Sequence, residues 1–433
     1  MTDLDELRLE LMDALGTDPG RITPLSGGAG RCQMWTLSAA GRPLVFRRHA
    51  EGHDRSVVRE REWSALRLAH RAGVPVPEPI ARTPTGLVMQ RVPGEARPHR
   101  LLHDDLFGGT RRVLVAQVAR AAVQLHTLPV PEDLPSGFPL AHGGVTSART
   151  PAAQAVADLE TVLDGVQEAH PVVELGLRWL RLNLPEPAPC SIVHGDLRLS
   201  NLIADKDGLR ALVDWELVHC GDGAEDLGWM CIRSWRFGRD DLPALGCGTR
   251  EQLLTEYAEA GGRRIGLEEL RWWEVCGNAR WAAICLLQPR MHLEGLPPPL
   301  ERAMVGRRAC EAEWDLLQLL ADGRPPPPAA RAGQDAPDAS KLLGLVAAYL
   351  REELRPAVPT EHAFRLLVAA NACSVVAREL TADFAPVGLE HGDGLAAELR
   401  TGAHDDRLDE LIDPLRATTL GRLGVAHPGW ETV

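Results

Sequence analysis

Residues 192–216 read Ile192-Val193-His194-Gly195-Asp196-Leu197-Arg198-Leu199-Ser200-Asn201-Leu202-Ile203-Ala204-Asp205-Lys206-Asp207-Gly208-Leu209-Arg210-Ala211-Leu212-Val213-Asp214-Trp215-Glu216. Two apolar runs joined by an Asp/Gly-rich turn predict a β-hairpin. Folding it brings Asn201, just before the first strand, level with Asp214, just after the second. An amide oxygen and a carboxylate at that open end are hard ligands, the kind magnesium takes while keeping waters and phosphate oxygens. Asp196 lies on the entering loop within reach of the same space, and His194 precedes it at a strand end.

His-x-Asp-x-x-x-x-Asn with a downstream Asp is the layout of protein-kinase-like phosphotransferases, where the first Asp accepts the proton of the attacking hydroxyl and the Asn and second Asp hold metal. A hairpin with polar turn ends has no reason to place Asp196, Asn201 and Asp214 in that order, each at a strand end. His194 to Asn201, followed by Val213-Asp214-Trp215-Glu216, resembles the aminoglycoside phosphotransferase family, which also includes choline and homoserine kinases. Gly221-Asp222 with Glu225-Asp226-Leu227-Gly228 looks like the acidic block that follows in that family. Within it, the segment is most similar to the subgroup linked to acyl-CoA dehydrogenases. The resemblance covers residues 20–320; residues 338–433 look like a small helical domain of unassigned function.

The resemblance implies an α+β, bilobal protein-kinase-like fold: a small β-rich N-lobe (1–92), a larger helical C-lobe (93–322), a Pro-rich linker (323–337) and an all-α accessory domain (338–433). It implies ATP as donor, Mg2+ as cofactor and a small-molecule hydroxyl as acceptor. Asp196 is then the catalytic base, His194 shapes the catalytic loop, and Asn201 and Asp214 hold the metal. Gly27 and Gly28, in Ser26-Gly27-Gly28-Ala29-Gly30, would lie over the phosphates, where backbone N–H groups approach anions. Met89 would open the hinge against the adenine. The family's phosphate-gripping lysine falls at the end of the strand Pro43-Leu44-Val45-Phe46, where this chain has Arg47. Arginine offers a planar, permanently charged fork there. Its acidic partner is Glu60 or Glu62. Glu62 shares a face with Val58, Ala65, Leu66 and Ala69, and a carboxylate on a packed face needs a cation, so Glu62 is preferred.

Around this core, Leu7, Leu11 and Leu15 fall at helical spacing, Ala39-Ala40-Gly41-Arg42 reads as a hairpin turn, and a helix is expected from about Asp54 to Arg71. Gly86-Leu87-Val88-Met89 reads as a strand, and residues 111–128, 151–182 and most of 223–320 as helical. Trp272, Trp273, Trp281 and Trp314 are expected in the core. The run Pro325 to Pro328 cannot continue a helix. Beyond it lie three apolar stripes: Leu343, Val346, Leu350 and Leu354; Leu366, Ala370, Cys373, Ala377 and Leu380; and Leu408, Leu411, Ile412 and Leu415, whose helix Pro414 should kink or break.

The chain has 433 residues, enough for two to three domains at roughly 150 residues each. Its net charge of −13 argues against nucleic acid or an anionic membrane as main partner. Met1 to Glu10 lacks the basic segment and apolar core of a signal peptide, and no apolar run approaches the ~18 residues of a membrane helix, so the cytoplasm is the expected address. Nine scattered cysteines without a Cys-x-x-Cys pair read as reduced thiols. Of 47 basic residues only Lys206 and Lys341 are lysine, and neither follows a glycine, which excludes a Gly-Lys-Ser/Thr phosphate loop. Residues 215–320 hold 17 acids and 12 arginines, too balanced for a polycationic aminoglycoside acceptor. The subgroup resemblance implies a hydroxyacyl-CoA or hydroxy acid instead, with Arg233, Arg236 and Arg239 available to meet an anion. Three other readings stand beside this one. They are a catalytically weak nucleotide-binding scaffold acting through the helical tail, an aminoglycoside-type antibiotic kinase, and a hydrolase-type metal site at His194 and Asp196. His219 and Cys220 follow Asp214 closely, though nothing orients them as base and nucleophile.

Overall fold

The computed structural model describes residues 3–25, 32–49, 56–132, 134–137, 150–166, 169–293, 305–306, 308–328, 339–382 and 393–430. The chain divides into two compact units, Met1–Ala155 with Glu186–Trp273, and Val156–Pro185 with Glu274–Val433.

The first unit opens with helix α1 (Asp3–Leu15) and an antiparallel sheet of β1 (Thr23–Pro24), β2 (Cys32–Ala39), β3 (Arg42–His49), β4 (Pro79–Arg82) and β5 (Gly86–Gln90), in the order β1-β2-β3-β5-β4. β2 and β3 pair from Cys32↔His49 to Ala39↔Arg42. The two-residue turn between them puts Ala40 at φ 50° and Gly41 at φ 77°, the pair of left-handed residues that such a hairpin requires. β3 lies in the middle of the sheet, and Leu44 to His49 are all buried. Leu7 and Leu11 of α1 pack with Leu37, Leu44, Phe46 and Val88 in one core. Helix α2 (Ser56–Arg71) buries Glu62, Ala65, Leu66 and Ala69, the face read from helical spacing.

Helices α3 (Pro98–His103) and α4 (Gly108–His126) come next. The expected helical stretch 151–182 is two helices, α5 (Pro151–Asp164) and α6 (Pro171–Leu182), the second opened by a proline at its first turn. Four short strands follow: β6 (Ser191–Val193), β7 (Leu202–Asp205), β8 (Gly208–Leu212) and β9 (His219–Gly221). β7 pairs with β8 and β6 with β9. Lys206 stands at the exposed β7–β8 turn with its ammonium on Asp207 at 2.8 Å. Helices α7 (Gly223–Cys231), α8 (Arg250–Glu259) and the start of α9 (Leu267–Leu293) close the first unit. Trp272, Trp273, Trp281 and Trp314 are all buried.

In the second unit α10 (Ala309–Ala321) packs Cys310 and Trp314 against Leu420 and Leu423 of the last helix, Leu408–Ala426. Helices α11 (Ala339–Ala348), α12 (Thr360–Thr381) and α13 (Asp393–Thr401) lie between them in sequence, so the last helix is α14. α14 is not broken at Pro414, as one of the two expected outcomes had it, and its helical assignment runs through the proline. The proline lies within the first two turns and removes a single backbone donor there. The first two tail stripes are only partly buried, with Val346 46% and Leu380 58% exposed. Residues 324–328 have no regular structure, as expected of a proline run, but they are not a free tether. The fully buried Arg416 donates to the carbonyls of Arg324 at 2.9 Å and Pro325 at 3.3 Å. The rest of the expected linker lies outside the described residues. Tail helices are joined to α5, α6 and α10 by charge: Arg400 meets Glu174 and Asp164, Arg178 meets Asp405, and Arg422 meets Glu313. Trp430 Nε1 donates to Asp315 Oδ1 at 3.0 Å. All nine cysteines are free thiols. Among the described residues no helix is long and apolar enough to cross a membrane.

Candidate active site

β6 delivers His194, Gly195 and Asp196 into the interior of the first unit. Gly195 has φ 79°, and a Cβ there would collide with the Leu217 carbonyl, so glycine alone fits. His194 is fully buried, packs on Trp215 with ring centroids 4.7 Å apart, and accepts the Asp196 N–H on Nδ1 at 3.2 Å. Burial holds its imidazole below the usual pKa, against the pull of Asp226, Asp196 and Asp214. The loop is anchored from below by Asp226 of α7, which accepts the N–H groups of His194 at 2.8 Å and Gly195 at 3.0 Å. Asp226 also faces His126 Nε2 at 3.1 Å, and His126 Nδ1 faces the Tyr257 hydroxyl at 2.9 Å. Burial works against the Asp226 charge, but His126 and the backbone donors hold its carboxyl below the ordinary range.

Among the described residues Asp196 is held by three donors. Its Oδ1 accepts from Trp229 Nε1 at 2.9 Å and Arg198 Nε at 2.7 Å, and its Oδ2 accepts from Asn201 Nδ2 at 2.7 Å. Asn201 Nδ2 also reaches the Asp196 carbonyl at 2.9 Å, which turns the amide oxygen away from the base. At the hairpin's open end the Val213 N–H donates to the Asn201 carbonyl at 2.9 Å, placing Asn201 and Asp214 side by side. Asp214 is one of the few non-glycine residues at positive φ, 69°. Trp229 and Arg198 are not singled out by their positions in sequence; only the folded loop brings them to the carboxylate.

Arg47, at the buried end of β3, donates from Nη1 to Glu62 Oε1, while its Nη2 lies 3.0 Å from Asp214 Oδ1 and 3.5 Å from Glu216 Oε2. Glu60 instead pairs with Arg82 at the surface. Burial pushes the Glu62 carboxyl up, to about 7, against the pull of Arg47. The neighbouring Arg61 donates to the Glu216 carbonyl at 2.7 Å, tying α2 to the segment after Asp214. Met89 sits on β5 opposite Val45 of β3. Gly27 and Gly28 lie outside the described residues.

The residues present fit a magnesium ion. Among the described residues the buried Asp214 Oδ1 makes no aligned hydrogen bond, with Arg47 Nη2 3.0 Å away, and Asn201 commits its amide nitrogen to Asp196, which leaves its amide oxygen as an acceptor. Among the described residues no group of three His, Cys, Asp or Glu side chains could hold a metal. Two oxygen ligands suit magnesium, which draws the rest of its shell from waters and phosphates. The three arginines expected to meet an anion are engaged within the chain. Arg233 pairs with Asp240 at 3.2 Å, Arg236 donates to the Cys231 carbonyl at 3.0 Å, and Arg239 lies 3.5 Å from Asp241. The Cys220 thiol is pushed up to about 12 by burial and by Cys190, which leaves it no nucleophilic thiolate. His219 is held by Glu225 at 3.2 Å.

The phosphotransferase enzyme family model matches residues 21–273, more than half of the chain, and a domain of unknown function (DUF6285) matches residues 356–430. Acyl-CoA dehydrogenase family member 10 of Mus musculus is 34% identical over 98 residues, 20% of this chain and 9% of the mouse protein. The chain therefore aligns with less than a tenth of that relative. Among solved structures, a Ralstonia eutropha protein assigned to the aminoglycoside phosphotransferases has a TM-score of 0.56 at 19% identity, covering 73% of this chain and 98% of its own. A thermostable variant of aminoglycoside phosphotransferase APH(4)-Ia in its apo form has a TM-score of 0.50 at 17% identity, covering 73% and 99%. At these identities the likeness establishes the kinase-like fold.

Proposed function

The chain belongs to the phosphotransferase enzyme family; from that premise we propose that it is a small-molecule kinase, moving the γ-phosphoryl group of ATP to an alcohol hydroxyl. The observation that carries the reading is the hydrogen bonding of Asp196. Among the described residues two donors occupy Oδ1 and one occupies Oδ2, so a carboxylate with about four lone-pair sites keeps an open position on Oδ2. The acceptor's hydroxyl proton passes there as its oxygen bonds to phosphorus and the bond to the ADP oxygen breaks. Arg47, braced by Glu62, holds the phosphates, and His194 keeps the loop in register. Magnesium held by Asn201 and Asp214 would neutralise the phosphate charge. Catalysis of this kind is mainly positioning and charge stabilisation.

For the acceptor we propose a hydroxy acid or hydroxyacyl-CoA, supported by the likeness to a protein named as an acyl-CoA dehydrogenase family member. Asp196→Ala tests the base directly. Turnover on any acceptor found in a hydroxy-compound screen should fall by roughly 100-fold or more, with Mg-ATP still binding in calorimetry. Undiminished turnover would remove Asp196 from the mechanism. Parental protein that binds Mg-ATP but phosphorylates nothing in the screen would favour the scaffold reading.

A further inference from the structure

Arg198 stands two residues beyond Asp196 and is fixed on three sides. Its Nε bonds Asp196 Oδ1 at 2.7 Å, its Nη1 bonds Ser200 Oγ at 2.7 Å, and its guanidinium lies over Trp235, 4.4 Å from the ring centroid. Trp235 packs on Trp229 at 5.3 Å, and Trp229 completes the circuit by donating to Asp196. The remaining nitrogen, Nη2, has no partner among the described residues, and the side chain keeps 25% of its surface exposed. The carboxylate has two sides. Asn201, neighbour of Asp214, takes Oδ2, whereas Arg198 and the tryptophans take Oδ1. The open guanidinium edge therefore flanks the base on the side away from the metal-binding residues.

We infer that this free edge of Arg198 reads an oxyanion carried by the acceptor, a carboxylate being the class it fits, and so selects acidic hydroxy compounds. The inference rests on the phosphotransfer reading of Asp196. A guanidinium already locked in place loses little entropy on binding, and its fork matches carboxylate geometry. Charge adds a second reason. In the resting site Asp196 balances Arg198; when Asp196 takes the hydroxyl proton that counter-charge disappears, and an anion on the acceptor replaces it. The interaction thus strengthens as the reaction proceeds, which is where binding raises the rate. A polycationic acceptor would suffer the opposite change. Arg233, Arg236 and Arg239 are engaged elsewhere and do not compete for the role.

The test compares straight-chain hydroxy carboxylates with their uncharged amides and CoA thioesters as acceptors, for the parent, Arg198→Gln and Arg198→Lys, after thermal melts show each variant folded. The parent should prefer the carboxylate over the amide in kcat/KM. Arg198→Gln should collapse that preference by roughly tenfold or more, and Arg198→Lys, which keeps the charge, should retain part of it. Equal losses on carboxylate and amide would overturn the proposal, leaving Arg198 to orient Asp196 or the transferring phosphoryl group. A parental preference for the thioester over the free acid would overturn it as well. Should no acceptor turn over, calorimetry with the hydroxy carboxylates in the presence of ADP decides. Binding that Arg198→Gln abolishes upholds the site while the phosphotransfer reading falls; no binding to the parent overturns the site.

Discussion

A guanidinium at Arg47, where the proposed phosphate grip would otherwise use a lysine ammonium, can serve two partners at once. One nitrogen is committed to Glu62 while the other stays within 3.0 Å of Asp214, so bracing and reaching are divided between two atoms of one side chain. Arg47→Ala should weaken Mg-ATP binding by roughly tenfold or more in calorimetry; unchanged affinity would leave the residue without a part in nucleotide binding. Glu62 adds a pH dependence. Its carboxyl is raised in the folded protein, to about 7 from an ordinary 4.5, chiefly by burial. Between those values the folded state binds more protons than the unfolded one, so this group's stabilisation is complete below 4.5 and lost as pH rises through 7. Thermal melts of the parent and Glu62→Gln across that window should therefore show the variant gaining relative to the parent as pH rises. Parallel curves would mean that Glu62 is not shifted. The choice of Glu62 over Glu60 was legible because helical spacing alone separates a packed face from a wet one. The engagement of Arg233, Arg236 and Arg239 was not, since it depends on how a short irregular segment turns back on itself.

The element that decides the site is the hairpin with its entering loop. It was readable because its information is local: two apolar runs, a turn and polar residues at the ends. What fixes the loop is not local. Asp226 is 31 and 32 residues from the N–H groups it holds, and His126 reaches it across 100 residues. The acidic block 222–226 was visible in the sequence, but which carboxylate points beneath His194 depends on where α7 and α4 meet. Asp226→Ala would leave two buried N–H donors and an imidazole unanswered. It should cost about 3–5 kcal/mol in denaturant unfolding and lower kcat beyond what the stability loss explains. A fully active, equally stable variant would show that the loop holds its shape unaided.

At the scale of the molecule, the proline run is a boundary in sequence but not in packing. The tail helices share a compact unit with α6 and α10, and Arg416 grips the start of the run itself. Sequence periodicity marked the tail as helical and could not say what its charges face, because Glu174 and Glu313 are buried by helices over a hundred residues further along. A chain ending at Asp322 would strip the arginine partners from both carboxylates and the cover from Trp314. Melting should then lose cooperativity or drop by several degrees, whereas an unchanged transition would make the tail separable. The scarcity of lysine reaches into handling of the protein too. With Arg47 at the buried end of β3, nucleotide probes that acylate a lysine would find no side-chain amine to capture there. Amine-directed dyes and surfaces would instead take Lys206 at the exposed β7–β8 turn, away from the guanidinium of Arg47, with Lys341 the one other side-chain amine in the sequence.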